Sequence, residues 1–489
     1  MIFEVILVIV IYFTVMVIIG WLSARKVGSV EDYYVGGRAI GPWLTALSFG
    51  TVYFSAVIFT VAGSWQWHYG LSMAFRDSWG TALLGTALSF IILGPRLRYQ
   101  SVKARALTVP DYFEYRYGSV WVRLAITIII FYTMFLYAVS LLVGMAKQTE
   151  AIIGLPYLLS LMICALIVLF YTIIGGYIGA VWTQAVQAII MVIVTLYIGF
   201  LSLKLVGGLD VMINKLYELD PSLTGYPWSK PWICLIVLFV IGFLPWGNAA
   251  SITRFYGIKH ESAFRWAILI AVLFAIAITL PINIAATATR ILYPELGVMG
   301  KTDIAISKLI VGNSPPALAG LFLAGIYAAS MSTATVMISI SSQAIVKDIT
   351  IEFILRNRIG VNVLKWTKIA TLITGLLTVV AAINPPKLLA DLWGTTASVV
   401  SSSLVGPLVL SLYWSRTTSK GVIAGSLSSW LSTIMYCYIK GFKWPYTFEA
   451  WVPSIILSFS VTIIVSLLTK PPSPDKLLEL GFRNVKKSI

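Results

Sequence analysis

Apolar stretches of about 20 residues recur along the whole chain and constrain its fold more than any motif. A bilayer core about 30 Å thick takes roughly that many helical residues to cross, and backbone in hydrocarbon must satisfy its own polar groups. Stretches of this kind lie at about 3–24, 42–67, 78–96, 119–146, 155–174, 178–204, 232–256, 264–290, 316–346, 362–383, 388–413, 419–439 and 451–469. Two of them are broken. The second carries Gly50 among Thr, Ser and Tyr residues, which predicts unwinding near Gly50 to Phe54. The seventh carries Pro245, Gly247 and Asn248 at its centre. Proline lacks an N–H and clashes with the preceding turn, while glycine relaxes the backbone. Such breaks survive in a membrane only where they line a protein-enclosed cavity, and paired breaks five segments apart are the signature of an inverted-repeat transporter.

The expected fold is therefore an all-α integral membrane domain over residues 1–489, with about 13 transmembrane helices. Segments two to six (about 42–204) and seven to eleven (about 232–413) form two groups of five. Five is odd, so the second group enters from the opposite side and the groups are inverted. One helix precedes this core and two follow it. The chain is 59% hydrophobic and only 11% charged, with a net charge of +16. In a membrane protein such an excess reflects Lys and Arg retained in cytoplasmic loops, not nucleic-acid binding. With the N-terminus outside and the C-terminus inside, roughly 24 of the 35 Lys and Arg residues fall on the cytoplasmic side. The first segment lacks a basic leader and a small-residue cleavage site, which reads as a retained helix.

The chemistry classes that the sequence excludes are as informative. Cys164, Cys234 and Cys437 lie in apolar segments without metal spacing, and the two histidines, His68 and His260, stand apart. No phosphate-binding loop, dinucleotide fingerprint or catalytic cluster is present, so no enzyme activity and no organic cofactor are expected. Asp77 and Asp391 fall near the outer starts of segments three and eleven, which leaves the middle of the membrane without the carboxylate a proton carrier uses. Oxygen dipoles can hold a hard cation instead. In segment nine, Ser332 and Thr333 follow Ala329 by three and four residues, so one helix face presents two hydroxyls beside a carbonyl. Thr51 and Phe54, beside the expected break in segment two, could add two carbonyls and complete a five-oxygen Na⁺ cage. The alternative is that both hydroxyls bond back to carbonyls one turn earlier or pack between helices.

Five strings occur in order over nearly 400 residues: "EDYYVGGRAIGPWLTALSFGT" (31–51), "LTVPDYFEYRYG" (107–118), "YTIIGGYIGAVWTQAVQAIIM" (171–191), "AASMST" (328–333) and "GPLVLSLYWSRTTSKGVIAG" (406–425). On these the chain resembles the sodium:solute symporter family, whose members have a LeuT-type inverted-repeat core. The resemblance implies that Thr51, Phe54 and Ala329 through carbonyls, and Ser332 and Thr333 through hydroxyls, bind sodium. It implies that Asn248 faces the solute and that Asp77 matches an acidic position near the solute path; Tyr53 and Trp246, beside the two breaks, are further solute-binding candidates. Two departures stand out. Relatives carry aspartates where this chain has Tyr53 and Gln184. Ile241 and Pro245 replace aromatic rings of proline-transporting members, which does not favour proline. The expected function is Na⁺-coupled symport of a small polar organic solute across the cell membrane by alternating access. The alternatives are sodium-independent or proton-coupled transport by the same fold, or a membrane solute sensor.

Overall fold

The computed structural model describes residues 2–25, 30–224, 232–355, 363–385 and 389–482. Its described secondary structure is helical, apart from one isolated bridge between Ile40 and Ile258. Helix α1 (Ile2–Ala24) precedes the core. Helix α2 (Pro42–Tyr53) ends at Phe54, and α3 (Ala56–Trp79) restarts the chain with Ser55 as its cap. Non-helical geometry at Gly70 (φ 61°, ψ −148°) interrupts α3, which then runs through π-helical turns at Gly80–Ala87 and Ser89–Leu93 to Lys103. A short helix α4 (Val109–Tyr117) leads into α5 (Val120–Ile153) and α6 (Tyr157–Val206). Next come α7 (Ile233–Gly247), α8 (Ala249–Gly257), α9 (Ala263–Leu292) and α10 (Pro316–Gln343), the last prolonged by a π-helical Ala344–Leu355. Helices α11 (Val363–Ala382), α12 (Leu389–Ser403), α13 (Val405–Tyr413), α14 (Ser419–Ile439), α15 (Trp451–Leu468) and α16 (Pro474–Glu479) complete the series.

Among the described residues, ten helices are long and apolar enough to cross a membrane, or eleven when the bent pair α7–α8 counts as one span. That is fewer than the thirteen expected from the sequence, for local reasons. The expected second span is cut at Ser55, and its remainder continues past Gly70 into the third. The fifth, Tyr157–Phe170, is short, and α6 carries it together with the sixth, Gly179–Val206. The expected boundary near 174–178 falls on residues whose side chains lie outside the description, as do the basic loop residues Arg356 and Arg358 and the tail from Arg483.

Prolines inside helices show how this bundle satisfies its backbone. Pro281 within α9 has no N–H for the Ala277 carbonyl one turn earlier. Thr195 Oγ1 of α6 lies 3.1 Å from Ala277 O and shares its one proton between that carbonyl and those of Met191 and Val192 on its own helix. Outward faces stay apolar: Ile456, Ile464 and Leu467 on α15 are exposed, as are Leu7, Val10 and Ile11 on α1. That pattern suits lipid contact, since lipid accepts apolar side chains but no bare backbone.

The two broken elements lie side by side. Ile40 N donates to Gly257 O at 3.1 Å and Lys259 N donates to Ile40 O at 2.9 Å, so the start of α2 adjoins the end of α8. The two elements therefore run in opposite directions through the core. Helices α6 and α10 pack against α2.

Candidate functional site

The break in the first element leaves backbone acceptors without helical partners. Phe54 N still bonds Gly50 O at 2.8 Å, but Phe54 and Ser55 are extended, so no helical N–H reaches the Thr51 carbonyl. Helix α10 fills this vacancy. Ser332 Oγ and Thr333 Oγ1 each donate to Thr51 O at 3.0 Å, and Thr333 Oγ1 also lies 3.4 Å from Val52 O. The same hydroxyls bond back to Ala329 O at 2.9 and 3.1 Å. The hydroxyls thus bond back one turn, as the alternative reading has it, and also reach the Thr51 carbonyl of α2. Each hydroxyl has one proton and faces two or more carbonyls, so acceptors outnumber donors. All four residues are buried, as is Phe54. A buried cluster of carbonyl and hydroxyl oxygens is the donor set that hard cations use. Hydrogen bonds join Thr51, Ala329, Ser332 and Thr333; Phe54 adjoins them at the end of α2.

Gln184 of α6 stands beside this cluster. Its Nε2 donates to the Ser332 carbonyl at 3.0 Å, and its buried Oε1 has no hydrogen-bond partner. It brings a neutral dipole where a carboxylate would bring charge.

Next to the oxygen cluster lies a cavity of about 50 Å³. That volume is room for a few waters or part of a compact solute. Tyr53, Phe54 and Ser55 from the break line it, with Asp77, Thr81, Tyr137, Ile241 and Trp393. Of the residues expected to meet solute, Tyr53 and Asp77 are there and Asn248 and Trp246 are not. Asn248 caps α8, its Oδ1 accepting from Ala250 N at 2.9 Å, at the point where α7 and α8 bend by 50°. Trp246 points away, its Nε1 donating to Leu84 O at 2.8 Å. Gly247 lets this bend approach α12, since a Cβ there would sit 1.8 Å from the Val400 carbonyl oxygen.

Asp77 is buried in the core, beside the cavity. The chain kinks at Gly70, and Asp77 lies two turns beyond it, 6% exposed. Its Oδ2 accepts from Asn283 Nδ2 at 2.9 Å, and Asn283 Oδ1 accepts from Gln66 Nε2 at 2.9 Å. Tyr137, Trp393 and Asn283 were invisible to the sequence argument, because each is a single side chain on a helix far away in the chain.

Tyr53 has a second role. Pro245 deprives the Ile241 carbonyl of its donor one turn on, and Tyr53 Oη donates to that carbonyl at 2.7 Å. One hydroxyl therefore ties the two breaks together across the cavity.

At the basic end of the bundle, Arg123 bridges Asp111 and Asp348 at 2.8 and 2.7 Å and also meets Glu114. Lys347 pairs with Asp111 as well. Burial opposes charge on Asp111, but Lys347 and Arg123 outweigh it and hold the carboxyl well below the usual carboxylate range. This cluster joins α4 and α5 to the end of α10.

The family model for the sodium:solute symporter family matches residues 33–428. The chain is 28% identical to the osmoregulated proline transporter OpuE of Bacillus subtilis (strain 168), over 96% of each chain. It is 26% identical to the sodium/pantothenate symporter of Haemophilus influenzae, covering 91% of this chain and 92% of that one. It is 28% identical to the sodium/proline symporter of Staphylococcus aureus (strain Newman), covering 94% and 92%. Among solved structures, a Na⁺-coupled sialic acid symporter in a substrate-bound outward-open state superposes with a TM-score of 0.78 at 18% identity, over 96% of this chain and 98% of that one. Mhp1, a nucleobase-cation-symport-1 family transporter, superposes with a TM-score of 0.54 at 14% identity, over 89% and 94%. Two opposed broken helices, an oxygen cluster at the first break and a match over most of the length converge: this chain belongs to the sodium:solute symporter family.

Proposed function

We propose that the protein is a Na⁺-coupled symporter of a small polar organic solute in the cell membrane. The observation that carries this reading is the oxygen cluster between the end of α2 and α10, directly beside a cavity. Sodium would be held by the carbonyls of Thr51, Phe54 and Ala329 and the hydroxyls of Ser332 and Thr333. To coordinate it, both hydroxyls must turn their protons away from the carbonyls they now face, so sodium competes with hydrogen bonds that join α2 to α10. Sodium therefore favours one arrangement of these helices over the other, which is the differential affinity that coupling requires.

The solute would occupy the adjoining cavity, between the aromatic faces of Tyr53, Tyr137 and Trp393. Asp77 brings the carboxyl group in that lining. It suits a solute that presents a cationic group or hydrogen-bond donors together with an apolar part. Asn248 and Trp246 would act on the solute indirectly, by shaping the bend. The working architecture would be thirteen spans, counting α2 with the first part of α3 and α7 with α8 as one broken span each. Its two groups of five would be inverted, with the N-terminus outside and the C-terminus inside.

Purified protein in liposomes, presented with a panel of amino acids, vitamins, sugars and carboxylates, tests this. Proline and pantothenate belong in the panel because relatives are named for them. The expected result is uptake of at least one solute in sodium buffer and little in choline buffer. Uptake at equal rates in both would remove sodium from the account.

A further inference from the structure

Away from the transport site, the basic end of the bundle holds a second cavity, of about 440 Å³. It forms where the end of α4, the start of α14 and the segment from Lys470 to Lys476 meet. Arg116 lines it and is only 1% exposed. The guanidinium lies between the rings of Tyr117 and Phe482, 5.2 and 4.9 Å from their centroids, and its Nη2 donates to the Trp414 carbonyl at 3.4 Å. Its Nε and Nη1 have no hydrogen-bond partner. A desolvated guanidinium with two unsatisfied donors is costly, and the group that relieves it is an anion.

The rest of the lining is built for the same partner. Lys470 and Lys476 bring two more cations, and Ser419 and Ser473 bring hydroxyls. The first turn of α14, a 21-residue helix, also opens onto the cavity, with the positive end of its dipole. Glu479 holds Lys476 at 3.2 Å and so offsets part of this charge, but Arg116 and Lys470 keep the balance positive. A guanidinium fork beside ammonium groups, hydroxyls and a helix N-terminus matches the several oxygens of a phosphate group.

We propose that this cavity binds the phosphate of an anionic lipid headgroup. The choice of a lipid rests on position. The apolar, exposed face of α15 ends in Leu467 and Leu468, two residues before Lys470, so the cavity opens where a lipid-facing helix leaves the hydrocarbon. Phosphates of the neighbouring lipids lie at that depth. The site is separate from the sodium and solute positions, and it stands whether or not the protein couples to sodium.

The test is native mass spectrometry of the full chain released from detergent, titrated with phosphatidylglycerol, phosphatidylcholine or soluble glycerol 3-phosphate. Phosphatidylglycerol should bind with clear preference over phosphatidylcholine. Replacing both lysines (Lys470→Gln with Lys476→Gln) should weaken that binding roughly thirtyfold, at about fivefold for each basic residue near a lipid surface. These side chains lie at the rim, so the variant should keep the thermal stability of the parent in lipid-free detergent. Arg116→Gln should remove the preference for the anionic lipid altogether, and its melting curve shows whether it folds; the lysine variant carries the test if it does not. Equal binding of the two lipids, or no change in the lysine variant, would overturn the proposal. Glycerol 3-phosphate binding as tightly as phosphatidylglycerol would overturn the lipid assignment and place a soluble phosphate ester there instead.

Discussion

The hydrogen bond from Tyr53 to the Ile241 carbonyl makes a prediction that depends on another residue, Pro245. In an unbroken helix, Ile241 O would accept from the N–H of residue 245, and proline has none. Tyr53 Oη fills that gap at 2.7 Å, and Ile241 is buried. Tyr53→Phe keeps the ring and its stacking on Phe54 but leaves a buried carbonyl unpaired. An unsatisfied buried acceptor costs about 1–3 kcal/mol, so the variant should lose about that much stability. Pro245→Ala restores an N–H that can reach Ile241 O. In that background Tyr53→Phe should cost well under 1 kcal/mol, which gives a coupling energy of about 1–2 kcal/mol between residues on separate helices. Denaturant titration of the four proteins in detergent micelles, followed by tryptophan fluorescence, measures the cycle. If Tyr53→Phe costs the same with Ala at 245 as with Pro, the hydroxyl is not replacing the proline's missing donor and the link between the breaks is incidental.

Other outcomes follow from the same geometry. Ser332→Ala with Thr333→Ala removes two proposed sodium ligands, and the sodium needed for half-maximal uptake should rise at least about tenfold, the equivalent of 1.4 kcal/mol; an unchanged sodium dependence of uptake in liposomes would count against the cage. Gly247→Ala places a methyl group on the Val400 carbonyl and should destabilise the protein by about 1–3 kcal/mol in the same denaturant titration. Arg123→Gln strips one of the two cations from buried Asp111 and Asp348, leaving Lys347, and should cost about 3 kcal/mol, read as a lowered thermal midpoint in detergent. Because Asp111 is held below its unfolded value of about 3.9, its contribution is complete above that pH and is lost only as pH falls below it. The part of the Arg123→Gln penalty that rests on Asp111 should therefore be undiminished between pH 5 and pH 8, which the same substitution in an Asp348→Asn background reads by itself.

The breaks were legible from local chemistry, as where Pro245 removes a helical donor and Asn248 caps a new helix start. Their details were not. Gly50 was expected to unwind the second segment, but it remains helical, and its missing side chain makes room for the Phe274 ring, which a Cβ would meet at 2.4 Å. The chain breaks instead at Phe54 and Ser55. Asp77 was expected near the outer start of segment three, and its burial beside a cavity depends on the kink at Gly70 and on packing against Asn283, neither of which hydropathy registers. The sodium candidates were readable as spacing on one helix, yet the partner carbonyl of Thr51 depends on how α2 meets α10. Tyr53 read as a lost charge. Its compensating role required the position of Ile241 on another helix, which no local pattern encodes. Arg116 likewise read as one more cytoplasmic cation, because burial and unpaired donors are properties of the packed bundle.

Sodium coupling is tested most directly by its reciprocity. Liposomes holding the protein are equilibrated with equal sodium on both sides, and a transported solute is then added outside together with tracer sodium. If one conformational cycle carries both, the solute gradient alone should drive tracer sodium inward above the rate seen without solute, and Ser332→Ala with Thr333→Ala should abolish that excess. Solute entry with no accompanying sodium flux would contradict the account.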